Sequence, residues 1–169
     1  MTKINYTPIQ PRIETLKGKM LIGISIQTSL ANDQTYTLWQ SFMPRRKEIT
    51  NSIHTDLFSI QIFPISFDFT FSDLNTSFTK WAAVEVEHTN HIPIGMSELK
   101  IPDGLYAVFN YKGLNTDPTI FIYIFSEWLP KSIYQLDNRP HFELLGERYK
   151  NNDPNSEEEI WIPIKLKSK

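Results

Sequence analysis

The 169-residue chain contains no cysteine, which excludes disulfide bonds, thiolate metal sites and cysteine nucleophiles together. Long apolar runs are also missing: the longest, residues 120–125 (IFIYIF), is far too short to span a bilayer, and the N-terminus has no apolar core of signal-peptide length. There is no excess of either charge, since 17 basic residues stand against 19 acidic ones. Because binding to duplex nucleic acid depends on clustered Lys and Arg, we expect a cytoplasmic protein with no direct nucleic-acid contact and no membrane contact.

Motifs for cofactors and for common catalytic sites are absent as well. The sequence has no P-loop, no dinucleotide-binding fingerprint and no G-x-S-x-G motif, so no cofactor is expected. His88 and His91 lie three residues apart, but a metal site needs at least a third ligand, and no metal site is predicted.

The composition is otherwise that of a globular chain, with 40% hydrophobic and 21% charged residues. The length predicts one domain over residues 1–169. The abundant class is aromatic, at 13% of the chain, with 4 Trp, 7 Tyr and 11 Phe.

Strand and helix signals occur in the same order in two halves, approximately residues 12–87 and 96–166. In the first half, strands are predicted at residues 16–26, 57–65 and 78–86. Asn32 and Asp33 can cap a helix that runs from residue 34 to about 49, and Pro44 should end or kink it. Residues 68–77 are predicted to form a polar loop.

The second half has predicted strands at residues 104–111, 141–147 and 159–166. Asp117 and Pro118 indicate the start of a helix that extends to about residue 129, although residues 120–125 alone have the composition of a buried strand. Short matches relate the halves at similar offsets: residues 21–24 with 106–109, residues 42–44 with 128–130, and Trp81 with Trp161. They predict a duplicated strand-helix-strand-strand unit.

Five short motifs then occur in order: residues 81–86 (WAAVEV), 102–109 (PDGLYAVF), 127–134 (EWLPKSIY), 142–143 (FE) and 160–164 (IWIPI). Together they resemble the GyrI-like small-molecule-binding domain, also called the AraC-type effector-binding domain, over roughly residues 12–165. One departure is Ile133, where the family usually has glycine before the tyrosine.

This resemblance implies an α+β fold with pseudo-two-fold symmetry, in which helices cover one face of a curved antiparallel sheet and a ligand cleft occupies the other. The implied ligands are amphipathic and often cationic. In relatives fused to a helix-turn-helix domain, ligand binding controls transcription. About ten residues precede the first half, which begins near residue 12; these are too few for a supported recognition helix, so we expect a stand-alone module acting alone or in trans.

Strand alternation selects the residues expected at the cleft. If Ala82 and Val84 pack on the helix side, Trp81 and Glu85 face the cleft, and by the same rule Trp161 does so in its strand. If Phe142 packs against a helix, Glu143 points to the other face, towards the cleft. The resemblance assigns the family's ligand-binding glutamate to Glu143. The complete predicted ligand-binding set is Glu143, Trp81, Trp161, Phe63, Tyr106, Tyr134 and Glu85.

Structural roles compete with these assignments, because aromatic residues on a sheet are most often core and strand glutamates are often solvated. Three functions stay open. The leading hypothesis is a binding module for amphipathic, cationic small molecules. It would act as a sensor, in the manner of a transcription regulator's effector domain with the transcription machinery as partner, or as a sequestering protein. The alternatives are a hydrolase of strained, electrophilic natural products with Glu143 as general base, and a modulator of DNA gyrase, as some similar family members are.

Overall fold

The computed structural model describes residues 9–168. Within that range the chain forms nine strands and two helical segments. The strands are β1 (Arg12–Leu16), β2 (Lys19–Thr28), β3 (Leu57–Ile62), β4 (Phe78–Glu85), β5 (Ser97–Ile101), β6 (Gly104–Lys112), β7 (Tyr134–Leu136), β8 (His141–Leu145) and β9 (Glu157–Leu166). The first helical segment is α1 (Thr35–Phe42) with a 3₁₀ helix (Met43–Glu48); the second is α2 (Thr119–Tyr123), a π-helical turn (Ile124–Trp128) and α3 (Leu129–Lys131).

The strands form one antiparallel sheet in the order β1-β6-β9-β8-β3-β4-β2-β5, with β7 added beside β9. The order is symmetric about the junction of β8 and β3, since β3-β4-β2 on one side corresponds to β8-β9-β6 on the other. The lead-in strands are exchanged between the halves, because β1 precedes β2 but pairs with β6, and β5 precedes β6 but pairs with β2. The α+β class, the antiparallel sheet and the duplicated order are therefore confirmed.

Both helical segments begin after an aspartate that accepts a hydrogen bond from the residue two positions later in the chain. Asp33 Oδ1 accepts from the backbone N–H of Thr35 at 3.0 Å, and Asp117 Oδ1 accepts from that of Thr119 at 2.9 Å. This satisfies an N–H that has no partner inside the helix. Pro44 lies within the 3₁₀ helix, so the first helix tightens at that point and continues to Glu48. The stretch 120–125 is helical despite its strand-like composition.

The helical segments lie on one sheet face, where one covers β2 and β4 and the other covers β6 and β9; the central pair, β3 and β8, is left open. Leu38 and Phe42 of α1 pack on Ile22 of β2 and on β4. Ile120 and Ile124 of the second segment pack on β6 and β9. The central strands β3 and β8 lie between these two clusters, so a gap exists on the helix-bearing face at the junction of the halves.

The opposite face of the sheet holds a third apolar cluster. Its members come from strands across the whole sheet, including Leu16 of β1 and Ile101 of β5, which lie at the two ends of the strand order. Curvature of the sheet is what allows both ends to contribute to one cluster. None of the helices within residues 9–168 has both the length and the apolar character that crossing a membrane requires.

Candidate functional site

A cavity of about 520 Å³ lies in the gap between the two helical segments, on the helix-bearing face of the sheet. Its walls come from β3, β4, β8 and β9, from α2 with the following π-helical turn, and from the segment of residues 63–78, which connects β3 to β4 and includes the first residue of β4. Phenylalanine is the most frequent lining residue, at Phe63, Phe67, Phe69, Phe71, Phe78, Phe121, Phe125 and Phe142. We call this cavity the phenylalanine lobe.

The rings of this lobe contact one another and enclose a histidine. Phe69 and Phe125 have ring centroids 4.7 Å apart, which joins the 63–78 segment to the second helical segment. His141 of β8 stacks on Phe69 with a centroid distance of 5.5 Å and an interplanar angle of 8°. Burial, with the nearby positive charge of Arg139, lowers the pKa of His141 to about 3, so its imidazole is neutral near pH 7.

Glu143 lies at the centre of the sheet, on the same face as the phenylalanine lobe. It pairs in register with Ser59 of β3 and Ile160 of β9, so it stands at the junction of the two halves. Gln61 Nε2 donates to Glu143 Oε2 at 2.9 Å. Burial raises the pKa of Glu143, and the positive charge of Lys80 and the hydrogen bond from Gln61 oppose part of that rise.

A second cavity of about 620 Å³ extends from Glu143 and Lys80 towards α1, and we call it the polar lobe. Because Glu143 and Lys80 line both cavities, the two lobes form one cleft with these residues between them. Lys80 Nζ donates to Thr35 Oγ1 at 3.0 Å. The remaining lining is mainly polar and aromatic: Asp33, Thr35, Tyr36, Trp39, Asn115, Asn151, Tyr149 and Glu158.

Glu158 brings a second carboxyl group into the polar lobe. Burial, together with the negative charge of Glu143, raises the pKa of Glu158 to about 8, and Lys80 opposes the rise. The pKa of Tyr149 is also raised, first by burial and then by the charges of Glu158 and Glu143. Across residues 9–168, no group of three or more His, Cys, Asp or Glu side chains is gathered so as to hold a metal ion.

The predicted orientation of β3 and β8 is wrong. Phe58 and Ile60 of β3 and Phe142 of β8 pack with Trp81 and Trp161 on the face opposite the helices. Glu143 therefore faces the helix-bearing side, and the cleft that it lines opens on that side. The physical reason is that both sheet faces are buried here, so an apolar residue in alternation does not indicate which face carries the helices.

The two predicted tryptophans are mainly part of the apolar cluster on the opposite face. Trp81 is 8% exposed and packs in that cluster. The ring of Trp161 stacks on Phe142 with a centroid distance of 5.2 Å. Trp161 also contributes to the wall of the phenylalanine lobe, whereas Trp81 lines neither lobe.

Three further predicted residues have other partners and line neither lobe. The Tyr106 hydroxyl donates to the carbonyl oxygen of Pro140 at 2.8 Å, and burial raises the pKa of Tyr106 to about 12. Tyr134 stacks on Trp128 with centroids 6.3 Å apart. The carboxylate of Glu85 accepts a hydrogen bond from Lys19 Nζ at 3.0 Å.

Of the predicted set, Glu143, Phe63 and Trp161 line the cleft, and several cleft residues were missed. The sequence predicts a polar loop at residues 68–77, yet Phe69 and Phe71 lie within it, and the stretch 63–78 contains five of the chain's 11 phenylalanines. That local concentration is the sequence signal for an aromatic wall. The strand predicted at residues 159–166 begins earlier in the structure, at Glu157, so Glu158 belongs to β9. Alternation along β9 places Glu158 on the cleft side and both Glu157 and Glu159 on the other side.

Comparisons with known proteins agree with this geometry. The chain is 29% identical over 148 residues to the transcriptional regulator BrlR of Pseudomonas aeruginosa, which covers 85% of this chain and 51% of that protein. The chain thus spans about half the length of this curated relative.

Two solved structures share the fold. The C-terminal domain of EcmrR has a TM-score of 0.66 at 13% identity, covering 94% of this chain and 99% of that one. SAV2435 bound to tetraphenylphosphonium has a TM-score of 0.61 at 18% identity, covering 93% of this chain and 94% of that one.

The family model of the GyrI-like small-molecule-binding domain matches residues 9–165, nearly the whole chain. The symmetric antiparallel sheet and the order of the five motifs are consistent with this match. The chain belongs to the GyrI-like family of small-molecule-binding domains.

Proposed function

We propose that this protein binds an amphipathic organic cation, with the apolar body of the ligand in the phenylalanine lobe and its positive charge near Glu143. The observation that carries the proposal is a cavity rich in phenylalanine that ends at a partly buried carboxyl group with a raised pKa. Its volume of about 520 Å³ lies within the range of small-molecule pockets. The small-molecule-binding family to which the chain belongs supports the same conclusion.

The energetics favour this ligand class over a neutral or anionic one. A cation over an aromatic face gains about 0.5–2 kcal/mol, and the phenylalanine lobe offers several such faces. A carboxylate withdrawn from water also interacts more strongly with a positive charge than a solvated one does. Lys80 reduces this preference, but its Nζ is held at Thr35 on the side of the polar lobe.

We further propose that ligand capture has a regulatory role, as an effector module that acts on transcription. The relative BrlR is a transcriptional regulator, and the chain covers about half of it. The folded C-terminal domain of EcmrR matches the chain over almost its whole length. Ligand-dependent association with a regulatory partner is the form that this role would take.

Isothermal titration calorimetry with tetraphenylphosphonium tests the binding proposal. We expect saturable binding to the unsubstituted chain, and weaker binding, by about tenfold or more, to Glu143→Gln, since removing one partner of a buried charge pair costs about 2–5 kcal/mol. Glu157→Gln is the matched control, because Glu157 pairs with the exposed Arg148 outside the cleft lobes. Absence of binding by the folded chain, or equal affinity of Glu143→Gln, would contradict the proposal.

A second candidate function is hydrolysis of strained, electrophilic natural products. It is favoured by the two carboxyl groups with raised pKa values that line the polar lobe, since such groups can serve as general acid and base. Ionised Glu143 would take a proton from a water molecule whose oxygen attacks the electrophilic carbon. Protonated Glu158 would supply a proton to the atom released when the strained bond breaks.

Incubation with cyclopropane-bearing electrophiles, followed by mass spectrometry, separates turnover from binding. A product heavier by one water, formed by the unsubstituted chain and lost in Glu143→Gln, would support the hydrolase. Recovery of the intact compounds would leave binding alone.

A further inference from the structure

The two carboxyl groups of the polar lobe are arranged as a pair. Glu143 of β8 is in register with Ile160 of β9. Because side chains alternate along a strand, Glu158, two residues before Ile160 in β9, lies on the same face as Ile160. Glu143 and Glu158 are therefore diagonal cross-strand neighbours, a relation in which side chains about 7–8 Å apart at the backbone still interact. Both line the polar lobe.

Few charges in the lobe balance this pair. Lys80 of β4 acts on both carboxyl groups. Its Nζ also donates to Thr35 Oγ1, which in turn donates to Asp33 Oδ1 at 2.5 Å. The titratable and charged groups around the pair are Lys80, Asp33, Tyr36 and Tyr149 in the polar lobe and His141 in the phenylalanine lobe. Glu158 also lines a neighbouring surface pocket, whose titratable and charged residues are Tyr111, Lys112, Glu147, Arg148, Glu157 and Glu159.

We propose that the Glu143–Glu158 pair is a proton-exchange site, at which an organic cation entering the cleft replaces a proton held by the two carboxyl groups. The proposal deepens the proposed function and rests on it. It adds a second recognition residue, Glu158, and makes affinity for the cation dependent on pH.

The physical basis is that two neighbouring carboxyl groups withdrawn from water do not both ionise readily. Burial raises the pKa of each, and the charge of Glu143 raises that of Glu158 further, to about 8. Near neutral pH the empty pair thus holds a proton. A positive charge seated beside it favours the doubly ionised form, so the proton leaves for solvent as the cation binds.

Linkage then fixes the direction of the effect. Because the cation binds the deprotonated pair better, affinity rises with pH until the pair is ionised in the free protein, by up to about tenfold per pH unit for one proton. A neutral ligand of the same shape gains nothing from deprotonation. His141 also lines the cleft, but its pKa of about 3 keeps it from titrating between pH 6 and pH 8.

The experiment is a calorimetric titration with tetraphenylphosphonium at pH 6, 7 and 8, in buffers of different ionisation enthalpy so that released protons are counted. Triphenylphosphine oxide serves as the neutral probe. For the unsubstituted chain we expect affinity for tetraphenylphosphonium to rise about tenfold or more from pH 6 to pH 8, with about one proton released at pH 7. Affinity for the neutral probe should change less than about twofold.

Two glutamine variants assign the effect. Glu158→Gln should still bind tetraphenylphosphonium, with the pH dependence reduced to less than about threefold and proton release largely lost. Glu157→Gln, on the next residue and outside the two lobes, should behave as the unsubstituted chain.

The outcomes separate this inference from the proposed function. Binding without pH dependence or proton release would overturn the inference and leave cation binding in place. A pH dependence that Glu158→Gln retains would overturn it as well, because another group would then carry the proton. No binding of tetraphenylphosphonium at any pH would overturn both.

Discussion

Replacement of Glu158 by glutamine should stabilise the folded chain in a pH-dependent way. In the fold, burial and the neighbouring Glu143 raise the pKa of Glu158 from 4.5 to about 8. In the unfolded chain the carboxyl group is solvated and has its ordinary pKa. Between these two values the folded chain keeps a proton that the unfolded chain has lost, so unfolding releases a proton and stability falls as the pH rises. Glutamine has nearly the same shape and does not titrate.

The size of the effect follows from the same two pKa values. Each pH unit between them removes about 1.4 kcal/mol from the stability of the unsubstituted chain relative to the variant. At pH 7 the Glu158→Gln variant should therefore be more stable by about 3 kcal/mol, and the gain should level off above pH 8. Near pH 4 the two proteins should be equally stable, because the glutamate is then protonated in both the folded and the unfolded chain.

Urea unfolding at pH 4, 5.5, 7 and 8.5, followed by circular dichroism, measures this difference in free energy of unfolding. Glu157→Gln is the control, since its exposed ion pair with Arg148 predicts a change below about 1 kcal/mol at every pH. A stability gain that is the same at pH 4 and pH 7, or no gain at either, would refute the placement of Glu158 in a water-poor lobe beside Glu143.

Two further substitutions test the fold and the assignment of the faces. Gly23→Ala should destabilise the chain by about 2–4 kcal/mol in urea unfolding, because a Cβ at this position would lie 2.0 Å from the carbonyl oxygen of Ala82. Gly146→Ala is the control: its Cβ would meet only an ordinary contact at 3.5 Å, so its stability should be nearly unchanged. Phe69→Ala should weaken tetraphenylphosphonium binding by about tenfold through lost ring contacts. Trp81→Phe changes a residue on the opposite face of the sheet and should leave that affinity within about twofold. The reverse result would place the ligand on the other side of the sheet.

Sequence reasoning predicted the features that depend on local chemistry. Asp33 and Asp117 each indicate the start of a helix. In the structure each accepts a hydrogen bond from the backbone N–H of the threonine two residues later. The five motifs led to the family because the order of motifs is kept even where the loops between them differ in length. Glu143 was selected by its place in one of these motifs, which does not depend on knowing the direction of its side chain.

The sidedness of the central strands could not be predicted from alternation. In β3 and β8, apolar residues such as Phe58 and Phe142 alternate with Gln61 and Glu143, a pattern normally typical of a strand with one buried and one solvated face. Here the polar side faces the gap between two helical segments, and the apolar side fills a cluster enclosed by sheet curvature. Which side carries the helices depends on where α1 and α2 pack, and that is tertiary information.

The position of the cleft follows from the duplication, and its chemistry follows from divergence between the halves. Because β3 begins at Leu57 and β8 at His141, Ser59 in the first half corresponds to Glu143 in the second, and the two residues pair across the junction. Two carboxyl groups at this spot would repel each other at close range in a water-poor site. A serine in one half leaves space beside the carboxyl group of the other. The second acidic group, Glu158, is displaced along β9 to a diagonal position, where it interacts with Glu143 and the cleft stays open between the lobes.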